Sequence, residues 1–368
     1  MAYFVTETGR ELLGDAERFC ELEIYNKKDI SAEELRNSLC QMGYQTLTIP
    51  ENLGGFGIVS KDVAAIYEEI AKADASLAVT VAGSNLALRA VLEAGTDAQK
   101  EKVCGILSEG GLGAFCLTES DAGSDATNIK TKAVLQTDGT YKITGTKQFI
   151  TNGGIADFYV VAAKLGDAVE LFLIEKGTAG LKAGEPEEKL GIRNCDTCAV
   201  DLSGCVVGAD AKVEGGMKSI LAALNEGRVY MAAMAIGVAQ RALEEAIKYA
   251  KDRKQFDRPI ADNQAIRFKL ADMKTKIEAA RQLTAYASEK MDSGEDFSKE
   301  AAMAKVFAAE TAVEVTGKAM DIFGGYGYVN HYPTEQLLRD ARVFGIIEGT
   351  GEMQRTLIAD KLLKSERG

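Results

Sequence analysis

Apolar residues recur three and four apart over long stretches at both ends of the chain and alternate with polar ones only in the middle. Ile266, Leu270, Met273, Ile277, Ala280, Thr284, Ala287 and Met291 keep the helical spacing without a break, which predicts the seam of a helix bundle. A second seam runs through Ala232, Ala235, Ala239, Leu243, Ala246 and Ala250, and a third through Ala301, Ala304, Ala308, Thr311 and Val315. Their small residues predict close helix approach. From about residue 8 to 110 the pattern is again helical. Ser31 with Glu34 and Thr96 with Gln99 have the spacing of capping boxes, each marking a helix start. The stretch SKDVAAIYEEIAKADASLAVTVAGSNLALRAVLEAG is apolar on more than one side, as helices buried between neighbours are.

Near residue 113 the texture changes. AVLQTDGTYKITGTKQFITNG carries an Asp138-Gly139 hairpin signal, and DFYVVAAKL and ELFLIEK are short β-rich runs. The predicted organisation is a helical domain at 1–112, a β domain at 113–215 and a helical bundle at 216–368, a mainly α chain with a central β domain. That order excludes the alternating βα pattern of a Rossmann sheet, and neither G-x-G-x-x-G nor a Walker sequence is present.

Composition narrows the partners. The 368 residues exceed what one core organises, and 46% apolar with 27% charged residues is ordinary for a folded, water-soluble chain. A formal charge of −12 argues against nucleic acid, which is gripped by clustered Lys and Arg. Seven Cys, an odd number, read as reduced thiols in a cytoplasm. Cys195 and Cys198 form a C-x-x-C, but no second Cys or His pair completes a zinc site. No apolar run is read as reaching the ~18 residues that span a bilayer, and the acid-bearing first helix is unlike a transit peptide.

Five segments carry candidate chemistry. In FCLTESDAGSDATNIKT (115–131), Thr118, Ser120, Gly123 and Ser124 offer hydroxyls and unencumbered N–H groups to an anionic or carbonyl-rich ligand, or make a Ser/Gly-rich turn. The others are KQFITNGG (147–154), RKQFDRPI (253–260), DIFGGYGY (321–328) and IIEGTGEMQR (346–355). In the last, a carboxylate at Glu348, next to the apolar Ile346 and Ile347, is placed for partial desolvation, which suits proton abstraction near neutral pH. The single His, His331, reads as a loop residue.

In this order and at this spacing the five motifs resemble the acyl-CoA dehydrogenase family over nearly the whole chain, with the texture of its short-chain, butyryl-CoA-type members. The resemblance implies an N-terminal helical domain, a middle β-barrel domain, a C-terminal four-helix bundle, and FAD held between barrel and bundle. It places Phe115, Leu117 and Thr118 on one side of the flavin and Phe149 and Thr151 on the other, with the Thr151 hydroxyl at N5. Arg253 resembles the residue that grips a neighbouring subunit's FAD pyrophosphate. Phe256, Gln264, Gly324, Gly325, Thr350 and Glu352 match further cofactor contacts; Glu352 equally suits a helix N-terminus. For CoA, Ser124 resembles the pantetheine contact and Arg228 the contact at the nucleotide end, joined by Asn225 on the same helix face and by Gly349; a solvated polar face is the other reading of Asn225 and Arg228. Three positions depart from the common pattern. Phe149 stands where many relatives have Trp, and otherwise reads as a strand residue filling the β core. Asn225 replaces an Asp. Asp321 replaces a Gln, which predicts an acid pointing away from the cofactor or paired with an Arg.

The resemblance makes Glu348 the base that removes the α-proton of an acyl-CoA while the β-hydride passes to flavin N5, giving the trans-2-enoyl-CoA, or catalyses the reverse reduction. Its backbone N–H and a ribityl hydroxyl are implied to polarise the thioester carbonyl. Some relatives carry the base just before the CoA-facing Arg, a position held here by Gly227; Glu226 is adjacent but off in angle. Electron-transferring flavoprotein is the implied electron partner and a homotetramer, or at least a dimer, the implied assembly, in a cytoplasmic enzyme of fatty acid metabolism. The rivals are an acyl-CoA oxidase and a non-enzymatic acyl-CoA-binding or scaffold protein with a decayed site.

Overall fold

The computed structural model describes residues 5–25 and 31–365. Helix α1 (Glu7–Phe19) runs into a π turn at Cys20–Tyr25 and is followed by α2 (Ala32–Gln41), α3 (Ser60–Ala73), α4 (Ala75–Ala94) and α5 (Asp97–Ser108). Both capping boxes form. Ser31 N donates to Glu34 Oε2 at 3.0 Å and Glu34 N to Ser31 Oγ at 3.2 Å, and Thr96 and Gln99 repeat the exchange at 2.9 and 3.2 Å. Each box satisfies two orphan donors at the start of a helix. The long apolar stretch divides at Asp74, whose Oδ1 accepts from Ser76 N and Leu77 N at 2.7 and 3.2 Å and so starts α4. By length and composition α4 is apolar enough to cross a membrane, contrary to the sequence expectation, but 78% of its most apolar window is buried inside the protein.

The middle of the chain forms β1 (Gly113–Cys116), β2 (Lys132–Leu135), β3 (Tyr141–Thr151), β4 (Phe158–Leu165), β5 (Ala168–Glu175), β6 (Leu181–Pro186), β7 (Thr197–Val207) and β8 (Lys212–Val213). They make one sheet in the order β6-β7-β3-β2-β4-β5-β8, with β1 parallel to the first half of β4. The end strands β6 and β8 do not pair with each other, so the barrel is open. The Asp138-Gly139 turn joins β2 to β3, with Gln136 N donating to Thr140 O at 2.8 Å. The β3–β7 register shifts between Lys147 and Ile150, and this irregularity re-aims the residues that end β3.

Helix α6 (Met217–Asp252), a small hairpin of β9 (Lys254–Gln255) and β10 (Arg258–Pro259), and helices α7 (Gln264–Asp292), α8 (Ser298–Phe323), α9 (Gly325–Tyr328), α10 (Thr334–Ala341) and α11 (Gly351–Ser365) complete the chain. The predicted seams lie inside. All six α6 positions and all five α8 positions are buried, whereas on α7 the seam is buried from Met273 to Ala287 and half-buried at Ile266, Leu270 and Met291. The seven cysteines are buried and unpaired, Cys195 and Cys198 included, and burial pushes both of their thiols up to about 11.

Candidate active site

The loop before α11 has an unusual backbone. Glu348 has φ +53° and Gly349 φ +95°. A left-handed conformation at a non-glycine residue costs on the order of 1–2 kcal/mol and persists only where the surroundings impose it. Here they do so through two carbonyls. Gln354 Nε2 donates to Glu348 O at 3.2 Å and to Gly349 O at 2.9 Å, Lys305 Nζ to Gly349 O at 2.6 Å, and Arg228 Nε more weakly to Glu348 O at 3.4 Å.

This backbone turns the Glu348 side chain onto α6. A Cβ at Gly227 would lie 2.0 Å from Glu348 Oε2, so the absent side chain of Gly227 is the space the carboxylate uses. Oε2 is closed off from solvent and has no hydrogen-bond partner. Burial raises the Glu348 carboxyl to about 7; Lys305 and then Arg228 pull against that rise, and Glu226 adds to it. The expected desolvation is therefore present, but Ile346 does not provide it, being 62% exposed. The helix at Gly227 does, with Ile347 half-buried against the core.

Arg228 is buried and donates from Nη1 to Asn225 Oδ1 at 2.6 Å, which joins the two residues on one face as their spacing predicts and rules out a solvated polar face. The guanidinium lies beside the Glu348–Gly349 loop. Glu226 faces the other way: Arg89 Nε of α4 lies 2.9 Å from its Oε2. Burial pushes Glu226 up to about 7 against the pull of Arg89. Sequence reading missed Lys305 and Gln354, although both are buried. The available signal was a Lys directly after Ala304 in an alanine seam, and the Gln of the IIEGTGEMQR motif itself.

A second group forms where β1 and β3 end. Leu117 is buried, Phe115 and Thr118 are half-buried, and Ser124 is exposed in the following loop. Beneath them Lys147, fully buried, donates from Nζ to Leu117 O at 3.0 Å and to Glu119 Oε1 at 2.7 Å, and Glu119 also takes Thr131 N and Oγ1 at 3.0 and 2.6 Å. Nothing in the alternation of β3 announced this clamp. Phe149 has φ +57° and is 62% exposed, so it does not fill the β core. Thr151 is half-buried where α4 presents Gly83, whose Cβ would lie 2.6 Å from the Thr151 methyl. Asn152 fixes this corner by donating from Nδ2 to Thr80 O at 2.8 Å and Gly113 O at 3.1 Å.

A third group gathers where α6 and α8 end. Arg253 follows α6 with its guanidinium carbon 5.7 Å from the centre of the Tyr326 ring. The β9–β10 hairpin turns through Phe256 (φ +52°) and Asp257 (φ +63°) and leaves Phe256 95% exposed. Gln264 is exposed at the first position of α7. Gly324 has φ +59°, and neither it nor Gly325 has an atom within 4 Å of where a Cβ would lie. They open onto a cavity of about 480 Å³ that Tyr249, Arg253 and Phe323 also line. Asp321 points away from it and pairs with Lys269 of α7 at 3.0 Å, a Lys where the sequence suggested an Arg. Thr350 is half-buried beside Glu348, and Glu352 is exposed in the first turn of α11, its carboxyl held below the usual range by a backbone N–H and Thr350. His331 is an exposed loop residue whose ring lies 6.0 Å from that of Tyr332. Among the described residues no cluster of His, Cys, Asp and Glu could hold a metal ion.

Three family models match the chain in this order: acyl-CoA dehydrogenase N-terminal domain over residues 6–111, middle domain over 114–205 and C-terminal domain over 214–363. The chain belongs to the acyl-CoA dehydrogenase family. It is 41% identical over 350 residues to the short-chain specific acyl-CoA dehydrogenase of Megasphaera elsdenii, covering 92% of this chain and 91% of that one. It is 38% identical over 369 residues to a subunit of the caffeyl-CoA reductase-Etf complex of Acetobacterium woodii, covering 96% and 97%. The solved structure of butyryl-CoA dehydrogenase from Megasphaera elsdenii superimposes with a TM-score of 0.94 at 38% identity, over 99% of this chain and 100% of that one. This acyl-CoA dehydrogenase family member is accordingly an FAD-dependent oxidoreductase of acyl-CoA oxidation or enoyl-CoA reduction. The open space over Gly324 and Gly325 beside Arg253 fits the close approach of a phosphate-bearing ligand, and the exposed ring of Phe149 near Thr151 separately offers a stacking face to an aromatic one, the two parts that FAD combines.

Proposed function

We propose that this enzyme interconverts acyl-CoA and trans-2-enoyl-CoA thioesters, with Glu348 as the group that takes the α-proton and returns it. The observation that supports this reading best is the seating of the Glu348 carboxylate against Gly227, with Oε2 buried and unbonded. An unbonded, desolvated carboxylate oxygen with a proton affinity near neutrality is suited to give and take a proton. FAD supplies the hydride chemistry at the β-carbon. Phe115, Leu117, Thr118, Phe149, Thr151 and Thr350 would hold it, with Arg253, Phe256, Gln264, Gly324 and Gly325 reaching a neighbour's cofactor in a homotetramer. On the substrate side, Ser124 would meet the pantetheine, while Asn225, Arg228 and Gly349 surround the thioester end. The Glu348 N–H, fixed by the donors on Glu348 O and Gly349 O, would polarise the thioester carbonyl. Electron-transferring flavoprotein is the electron partner we infer, a reading supported by the Etf complex of the Acetobacterium relative.

Anaerobic titration with a panel of acyl-CoA and enoyl-CoA thioesters tests the activity: an acyl-CoA should bleach the flavin and its enoyl-CoA restore it. Failure of every thioester to change the spectrum would sink the reading, and rapid peroxide formation in air without a dye would make the enzyme an oxidase.

Two further results are expected. Arg253→Ala should lower FAD retention and the mass in solution together; full flavin occupancy at unchanged mass would overturn the inter-subunit role. Dehydrogenation needs ionised Glu348 and reduction needs it protonated. With a carboxyl near 7, bleaching by acyl-CoA should slow about tenfold per pH unit below that value, while reoxidation by enoyl-CoA slows above it. Stopped-flow rates from pH 5.5 to 8.5, roughly a decade and a half either side of neutrality, check this; parallel slopes in both directions would exclude Glu348 as the titrating group.

A further inference from the structure

Lys305 is a buried cation in α8 with 1% of its surface exposed. Among the described residues no carboxylate lies within ion-pair distance of it. Its hydrogen bond goes to Gly349 O at 2.6 Å, yet that carbonyl already accepts from Gln354 Nε2 at 2.9 Å. A second donor to the same oxygen could be neutral, and a neutral one would avoid the penalty of burying an ammonium without a counter-ion. The penalty is visible in Lys305 itself, pushed down to about 8 by burial, with Glu348 opposing the fall and Arg228 adding to it. The hydrogen bond therefore does not explain the charge. The neighbour that gains from the charge is Glu348: Lys305 holds the carbonyl of the very next residue, in a pocket where Glu348 Oε2 is buried and unbonded, and its charge favours the ionised carboxylate.

We propose that Lys305 is a positioning residue for the base, holding the Glu348–Gly349 loop from behind and setting with its charge how readily Glu348 gives up its proton. The inference rests on the reading of Glu348 as the base. The charged groups whose fields reach that carboxylate are Arg228 from α6 and Lys305 from α8, and from a distance Glu226 of α6, which is turned towards Arg89, while α11 contributes only the neutral Gln354. Glu226 and the cations act in opposite senses, so loss of Lys305 leaves the carboxyl under burial and Glu226 with Arg228 alone against them.

The test uses the FAD-loaded enzyme and the variants Lys305→Gln, which keeps a donor for Gly349 O, and Lys305→Arg, which keeps the charge. The carboxyl titration of Glu348 is read by infrared difference spectroscopy, assigned by its loss in Glu348→Gln, alongside the pH profile of flavin bleaching. Lys305→Gln should move the Glu348 midpoint upward by about one pH unit or more, leaving about tenfold less of the base ionised below its midpoint, with both readouts moving together. Lys305→Arg should hold the midpoint within about half a unit of wild type. An unmoved midpoint in Lys305→Gln, whatever the loss of rate, overturns the proposal and leaves Lys305 a loop tether. If Lys305→Gln fails to retain FAD, Lys305→Arg decides alone, and a midpoint displaced beyond that range overturns the proposal. Failure of the base reading shows separately, as α-hydrogen exchange that survives in Glu348→Gln.

Discussion

Glu348→Gln should give a yellow protein that binds acyl-CoA without bleaching and no longer exchanges the α-hydrogen with deuterated water. The substitution keeps the side chain's size, so the space at Gly227 stays filled and the bonds to the Glu348 and Gly349 carbonyls are untouched. What disappears is an acceptor of neutral-pH proton affinity. General-base loss is worth on the order of 10² to 10⁴ in rate, and abstraction from carbon should fall at the upper end or beyond. Glu226→Gln is the control. Its carboxylate is engaged by Arg89, so its loss should leave the rate within about tenfold of wild type, about 1.4 kcal/mol of barrier. Because Glu226 raises the Glu348 carboxyl, its removal should also shift the bleaching profile towards acid. Loss of bleaching in Glu226→Gln together with its retention in Glu348→Gln would mean that the other carboxylate is the base.

Gly227→Ala should separate stability from activity. In a helix interior Ala is favoured over Gly by about 0.5–1 kcal/mol, so the variant should fold at least as well as wild type and keep its flavin. Its new methyl, however, would stand 2.0 Å from Oε2 and 2.6 Å from the carboxyl carbon, where ordinary contact begins at 3.4 Å. The flexible end of Glu348 yields, and the carboxylate moves by more than 1 Å. A displacement of that size costs about 10² in rate when the geometry of attack is at stake. Stopped-flow bleaching beside a melting curve measures both. Wild-type rates in Gly227→Ala would mean that the carboxylate works from another position than the one seen here.

The architecture was legible because helices and strands write different periods. The seam from Ile266 to Met291, the two capping boxes and the change of texture near residue 113 each correspond to an element or boundary in the structure. Glu348 was legible because its motif is local. The support around it was not, since Lys305, Arg228 and Gln354 reach the loop from three different helices and only folding shows that they converge. Lys147 was hidden for the opposite reason: as a charged residue in an alternating strand it reads as solvent-facing, and only a partner on the preceding loop makes its burial tolerable. The sequence expects the desolvation of Glu348 from its apolar neighbours, yet of the two only Ile347 is half-buried, and the close seat of the carboxylate is made by a residue with no side chain, Gly227.

Helix α4 has a consequence for how the chain is made. The helix that covers it, α6, begins only at Met217, after the whole β domain. At about 5–20 residues per second, the ribosome leaves α4 without that cover for on the order of ten seconds. Throughout that interval this twenty-residue apolar helix has only α3, α5 and the first strands of the β domain to pack against. The order of domains along the message thus makes synthesis the moment of greatest exposure for this protein, and a pause between the β domain and α6 would lengthen it.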